Sequence, residues 1–524
     1  MSRPRAPLAI AVPALAAVAL VLLPLAYLVV RAAEGGTDAL SVLTREGTLE
    51  LVARTGLLVA AVTVCATLVG LPLAWLVTRT DLPGRRVVAL LAPLPLVIPS
   101  YVAALALLGA FGPRGLLQRI LEGPFGVERL PEIYGFVGAT LALTLSTYPY
   151  VYLLTATALQ GLDPALEEAA RGLGHSQWAV FRRVTLPTLR PSLGASALLV
   201  ALYALSDFGA VSLMQFNALT RSIYLQYRSL FDRTPAAVLG LVLVAFTIAL
   251  LVLEERSRRG VRVHRATSRP VRRIQLGAWR WPAVAFCTAA LGLFLVVPLV
   301  VLVYWSARAI PLGYGIGFAW EAALSSLSAS ALAAVVAVVA VVPVAFLAQR
   351  YPRPWTNTVE RLAFTGNALP GIVIALSLVF FAANYASPLY QTLALLVFAY
   401  VVRFFPQALA GVGAALQGVN PRVEEAARGL GRGPVATLST VTLPLIRPGL
   451  LAGGALVFLN SMKELPATLL LRPIGFETLA TEIWKYTALG SYSRAAPPAL
   501  LLILVSTPFV YLLGRRGPDV SAPG

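Results

Sequence analysis

Hydrophobic residues along this chain gather in runs of about twenty, separated by short polar stretches. The runs lie near 8–30, 55–77, 88–111, 134–157, 193–215, 235–253, 281–305, 323–347, 362–383, 388–410, 450–471 and 495–514. A run of that length forms a helix that crosses roughly 30 Å of hydrocarbon. The pattern therefore predicts an all-α polytopic membrane protein with about twelve transmembrane helices. It lacks the alternating short strands of a membrane barrel. The first run is long for a signal peptide and continues into Arg31 without a clear cleavage site, which predicts a retained membrane helix.

The polar stretches carry one segment twice. Ala158 to Leu193 reads ALQGLDPALEEAARGLGHSQWAVFRRVTLPTLRPSL, and Ala415 to Leu450 reads ALQGVNPRVEEAARGLGRGPVATLSTVTLPLIRPGL. Without a gap, 21 of 36 positions are identical at a sequence offset of 257 (415 − 158). Asp163-Pro164 and Asn420-Pro421 predict an N-cap followed by Pro at the first helical position. That helix should stop near Gly174 and Gly431. A second short helix should begin at Ser176 and at Gly433-Pro434, and end before Leu186-Pro187 and Leu443-Pro444. Caps, glycines and prolines held in register across so long a separation predict a rigid helix–turn–helix knob that docks into a partner. Confinement between membrane spans argues against DNA binding.

Composition fits this picture and orients it. Of 524 residues, 58% are hydrophobic and 12% charged, with a mean hydropathy of +0.79. A soluble chain would carry about twice that charge. The net charge of +19 comes from 40 Arg and 2 Lys against 23 acids. Nucleic acid is one use of such a balance, but in a membrane chain it reports topology. With the N-terminus placed inside, the inner segments hold 27 Arg and the outer segments 12. The densest cluster runs from Arg256 to Arg280, holds nine arginines and falls between the sixth and seventh runs. It predicts a cytoplasmic linker between two six-helix halves, and Arg515 and Arg516 place the C-terminus inside too. Pro149 and Pro406 share the offset of the repeated segment, and Pro99 and Pro370 match at a slightly different one, which predicts kinks in corresponding helices. Equal span numbers make the halves parallel repeats about an axis along the membrane normal. Cys65 and Cys287 lie in apolar runs, as small buried hydrophobes.

The repeated segment resembles the signature of type I ABC importer permeases: E-A-A, three residues, Gly, nine residues, an aliphatic residue, one residue, Leu-Pro. Here it reads Glu168-Ala169-Ala170, Gly174, Val184, Leu186-Pro187, and again Glu425-Ala426-Ala427, Gly431, Val441, Leu443-Pro444. The stretches ALSDFGAVSLM (204–214) and MKELPATLLLRPIGFETLAT (462–481) resemble the fused two-domain ferric-iron permeases; thiamine permeases are similar double chains. The resemblance implies two type I ABC transmembrane domains, residues 1–255 (core 54–255, coupling segment 158–193) and 281–524 (core 320–514, coupling segment 415–450), joined by the linker 256–280. It implies coupling helices seated in an ATP-binding cassette ATPase, taken as a homodimer, with Glu168 and Glu425 anchoring them. It also implies an extracytoplasmic solute-binding protein, membrane lipid and no nucleic acid as partners, and the bacterial cytoplasmic membrane as location. The chain carries no G-x-x-x-x-G-K-[ST] phosphate loop, since neither Lys463 nor Lys485 ends one. ATP is therefore expected on the partner, with no cofactor on this chain and no enzymatic activity of its own.

Charged residues inside membrane spans are functional candidates by default. Asp207 and Glu464 sit in the runs that follow the two copies, and their separation is again 257 (464 − 207). With Tyr203, Ser206, Ser212 and Thr468 they offer oxygen ligands to a hard cation such as Fe³⁺. The structural alternative pairs Asp207 with Lys463, or puts both acids at the outer mouth. His175 and His264, the only histidines, fall in predicted cytoplasmic segments, and no His or acid cluster suggests bond-making chemistry. An ion-gradient-driven transporter and a membrane-embedded enzyme remain the rivals from other classes, and neither explains the knobs.

Overall fold

The computed structural model describes residues 6–113, 115–127, 130–229, 234–258 and 273–514. Most of the arginine-rich stretch 256–280, with His264, and Arg515 and Arg516 lie outside the described residues. Within those described, regular structure is helical, apart from an isolated bridge between Thr80 and Ile274. Nine helices among the described residues are long and apolar enough to cross a membrane, or eleven if each of two bent pairs is one span. The last expected span is the helix Tyr492–Gly514.

Several expected spans are broken. The run 88–111 divides into Arg85–Leu91, a 3₁₀ turn Leu94–Val97 and Ser100–Phe111. The run 362–383 divides into Pro354–Ala368 and Gly371–Tyr385, bent by 101°. Pro99 and Pro370 stand at these breaks in extended conformation. Their missing N–H and their restriction of the preceding residue end the helix rather than kink it. Pro149 and Pro406, by contrast, sit inside the continuous helices Phe136–Gln160 and Leu393–Gln417. The runs 193–215 and 450–471 also stop partway, at Ser206 immediately before Asp207 and at Met462 two residues before Glu464.

The two halves repeat in space with two offsets. Phe136–Gln160 and Leu393–Gln417 keep the offset of 257 at both ends (393 − 136 and 417 − 160). Glu46–Arg79 and Trp320–Arg350 end at an offset of 271 (350 − 79), the offset that also relates Pro99 to Pro370. The first half therefore has fourteen more residues (271 − 257) between Pro99 and Pro149 than the second has between Pro370 and Pro406. They include the amphipathic helix Leu116–Phe125, where the second half has a 3₁₀ turn, Ser387–Leu389.

Each half also clasps the other. Leu8–Glu34, from the first half, packs along Trp320–Arg350 of the second. Val297–Ala309, from the second, packs along Ser100–Phe111 of the first, where Trp305 donates its indole N–H to the Gly109 carbonyl at 3.1 Å. In lipid such contacts rest on close packing and internal hydrogen bonding. Along Glu46–Arg79 the hydroxyls of Thr55, Thr63, Thr67 and Thr78 each return to the carbonyl four residues back at 2.7 Å. Gly70 lets this helix touch Phe136–Gln160: a Cβ there would lie 2.7 Å from Val151 Cβ and 2.8 Å from the Tyr148 carbonyl oxygen. Gly70→Val should therefore cost about 1–3 kcal/mol by overpacking, read as a lower unfolding temperature in detergent. An unchanged transition would mean that the two helices do not meet this closely.

Candidate functional site

The repeated segments fold into two matching knobs. Asp163 caps Pro164–Gly172 by accepting the Ala165 N–H at 3.0 Å, and Asn420 caps Pro421–Gly429 by accepting the Arg422 N–H at 3.1 Å. Both helices end in a Schellman turn. The N–H groups of Gly174 and His175 donate to the carbonyls of Arg171 and Ala170, and those of Gly431 and Arg432 to Arg428 and Ala427. Gly174 and Gly431 both have φ of +84°, a conformation that requires glycine here. His175 is exposed.

The second short helices start where expected, after Ser176 and Gly433. They do not end before the Leu-Pro pairs. A π turn at Phe181–Thr185 carries the chain into Leu186–Ser206, and one at Leu438–Thr442 carries it into Leu443–Leu445. Pro187 and Pro444 remove a donor from the ladder, and the wider turn just before them absorbs the mismatch. Only the second half bends afterwards, by 76°.

The two adjacent glutamates of each knob face opposite ways. Glu168 and Glu425 are exposed, as are Ala169 and Ala426, whereas Ala170 and Ala427 are buried. Glu167 and Glu424 are buried and turn inward to arginines that end the long helices, Arg79 and Arg350. Thr185 donates to Glu167 Oε1 at 2.8 Å, and Thr442 to Glu424 Oε1 at 3.2 Å. Sequence reasoning missed these inward pairs. The available signal was the doubled Glu-Glu together with Arg79 and Arg350, which correspond only at the larger of the two offsets.

Asp207 and Glu464 lie in the breaks that follow their helices, and each caps the short helix beyond. Asp207 Oδ1 accepts the N–H groups of Ala210 and Val211 at 2.9 and 3.3 Å, and Glu464 Oε1 accepts the Ala467 N–H at 3.4 Å. Hydroxyls of Thr220 and Thr468 close on the carbonyl oxygens of Asp207 and Glu464, both at 2.6 Å. Ser100, next to Pro99, donates to the Asp207 carboxylate. Gly371, next to Pro370, leaves the equivalent space to the longer Glu464, whose Oε1 would collide with a Cβ there. Glu464 instead pairs with Arg403 at 3.0 Å, while the corresponding first-half residue is Ser146. Tyr203 lies against Ser100 and Asp207, and Thr468 also bonds the Tyr400 hydroxyl at 2.6 Å. Ser206 ends its helix half-buried, and the Ser212 hydroxyl is buried without a partner.

These two sites lie at the seam between the halves. Gly209, two residues after Asp207, stands against Leu465, the residue after Glu464: a Cβ there would lie 3.4 Å from the Leu465 Cδ2. Phe208 packs on Trp484 with ring centroids 5.1 Å apart. Lys463 does not pair with Asp207; its Nζ crosses the seam to the Leu96 carbonyl at 3.0 Å, an acceptor freed by the proline-broken segment. Among the described residues no three His, Cys, Asp or Glu gather at one point. The seam thus holds two buried carboxylates and a counter-cation, each carboxylate engaged by N–H groups of the short helix that follows it.

Comparison with known proteins agrees with this duplicated arrangement. Residues 66–263 and 341–520 match the family described as binding-protein-dependent transport system inner membrane component. The Fe(3+)-transport system permease protein FbpB 2 of Haemophilus influenzae is 34% identical over 502 residues, 94% of this chain and 95% of that protein. The ferric transport system permease protein FbpB of Actinobacillus pleuropneumoniae is 24% identical over 470 residues, 84% of this chain and 67% of that protein. The probable sulfate transport system permease protein cysT of Prototheca wickerhamii is 35% identical over 190 residues, 35% of this chain and 72% of that protein.

Proposed function

This chain belongs to the binding-protein-dependent transport system inner membrane components, the permeases of ABC importers, and from that premise we propose that it carries ferric iron across a bacterial cytoplasmic membrane. The observation that carries the cargo is the 34% identity with an Fe(3+)-transport permease over 94% of the chain. The carboxylates at the seam are chemically consistent with it. In this reading an extracytoplasmic binding protein delivers the ion, and a separate ATPase, present as a homodimer, supplies the energy. Both termini and the linker 256–280 face the cytoplasm. Residues 1–255 and 281–524 form the two transmembrane domains.

The knobs are the coupling helices. Glu168 and Glu425 reach outward to the ATPase, while Ala170, Ala427, Gly174, Gly431, Leu186-Pro187 and Leu443-Pro444 hold the shape that presents them. ATP binding draws the two ATPase subunits together and the knobs follow, so nucleotide state biases the halves between two arrangements of the seam. Asp207 and Glu464 meet the cation as it passes, and Arg403 returns to Glu464 once it has left.

The test is ATP-driven uptake in proteoliposomes holding the chain, its ATPase and a loaded binding protein, with ferric iron compared against thiamine. Iron uptake that requires the ATPase supports the proposal, and thiamine uptake without iron uptake contradicts it. In the same assay Asp207→Asn combined with Glu464→Gln should lower iron uptake about tenfold, the effect of losing roughly 1.4 kcal/mol along the path. Parental uptake by that assembled double variant would remove the two carboxylates from the path.

A further inference from the structure

Each knob is fastened to the long helix of its own half by the inward glutamate. In the second half the fastening is tight. Arg350 Nε donates to both Glu424 carboxylate oxygens, at 2.9 and 3.0 Å, and its Nη2 donates to the Leu416 and Val419 carbonyls, both at 3.1 Å. One side chain thus gathers the end of its own helix, the end of Leu393–Gln417 and the start of the knob. In the first half the same parts are present but slack. Arg79 stands 3.6 Å from Glu167, and its three side-chain nitrogens are buried without a hydrogen bond. A cavity of about 20 Å³ opens beside them, lined in part by Trp75, Phe181 and Ile274. Ile274 belongs to the returning chain, which pairs with the helix end through Asp81 N–H to Ile274 O at 3.1 Å and Ile274 N–H to Arg79 O at 2.9 Å.

A buried ion pair is a poor way to gain stability, because well-packed apolar residues serve as well or better. Its strength is directional: the planar guanidinium shares its Nε–H between both Glu424 oxygens and aims Nη2 at two backbone carbonyls, which fixes both distance and angle. The position fits that use. Glu424 directly precedes the exposed Glu425, so a force applied there passes through one peptide bond to Glu424 and then to Arg350. Arg350 ends a helix of 31 residues, about 46 Å at 1.5 Å per residue. That helix packs on Leu393–Gln417, Arg447–Met462 and Leu8–Glu34, which reach the seam and the opposite half.

We infer that Arg350–Glu424 and Arg79–Glu167 are positioning pairs that make each knob and its long helix move as one body, with the second half carrying the stiffer link. This inference rests on the coupling-helix reading above.

The test uses the complete complex in proteoliposomes, with ATP hydrolysed and ferric iron imported from the loaded binding protein measured together. Arg350→Met with Glu424→Met removes the pair without leaving a lone buried charge. The assembled complex should still hydrolyse ATP, while iron moved per ATP falls about fivefold or more, the lower end of ordinary coupling effects. Arg79→Met with Glu167→Met should reduce the ratio by clearly less. A parental ratio in the Arg350/Glu424 variant overturns the inference, and equal losses in the two halves overturn its asymmetry. If the Met variant does not assemble, Arg350→Lys, which keeps the charge and loses the planar head that holds carboxylate and carbonyls together, is measured instead. A reduced ratio is expected, and a parental ratio overturns the inference. Failure of the unaltered chain to bind the ATPase would instead defeat the coupling-helix reading, before either pair is changed.

Discussion

A chain carrying both Glu168→Lys and Glu425→Lys is expected to import nothing above background. These residues are the outward members of the two Glu-Glu pairs, and neither contributes to the buried contacts that shape the knobs. The knobs should therefore fold as before, with their N-caps, Schellman turns and inward pairs intact. What changes, under the coupling-helix proposal, is the charge offered to the ATPase. Truncating one side of a docked, hydrogen-bonded charge pair costs about 2 kcal/mol or more, and reversing it adds repulsion. Two such sites together cost about 4 kcal/mol, close to a thousandfold in affinity. Co-purification of the ATPase measures this directly, beside unfolding of the isolated chain. Parental transport would show that these glutamates are not the docking contacts. Lost transport with a destabilised chain would place their role in the fold instead.

Arg403→Met should be the most destabilising single change at the seam. Glu464 is 6% exposed as a side chain and has Arg403 as its counter-ion. Removing that arginine leaves a buried carboxylate without its counter-ion, at a cost of about 3–5 kcal/mol. Adding Glu464→Gln to the same chain removes the stranded charge and should restore most of the loss. The pair of measurements, unfolding temperature in detergent for Arg403→Met and for Arg403→Met with Glu464→Gln, separates charge compensation from lost packing. Equal destabilisation in both would mean that the arginine acts through its bulk.

The sequence made the knobs legible because their determinants are local. An Asp-Pro or Asn-Pro start, a glycine turn and a Leu-Pro end act within a few residues of one another, and the second copy repeats each of them. The continuation through the π turns was not legible, because proline ends a helix far more often than it widens one. The inward pairs were hidden for another reason. Glu167 and Glu424 obey one offset and Arg79 and Arg350 the other, so no single alignment of the halves brings both pairs into view. Hydropathy also overstated continuity in the runs 193–215 and 450–471. An averaged apolar run does not register one carboxylate, yet Asp207 before Phe208-Gly209 and Glu464 before Leu465-Pro466 are helix-ending and helix-capping signals of the ordinary kind.

The fourteen extra residues of the first half lie at the opposite end of Phe136–Gln160 from the knob, and Leu116–Phe125 among them has no second-half counterpart. A visitor arriving at a surface of true twofold symmetry finds two equivalent headings and no means of telling left from right. Here one side is keyed and the other plain. Anything that docked on that face would meet a lock with a single keyway, and a half-turn in approach would not be a neutral event.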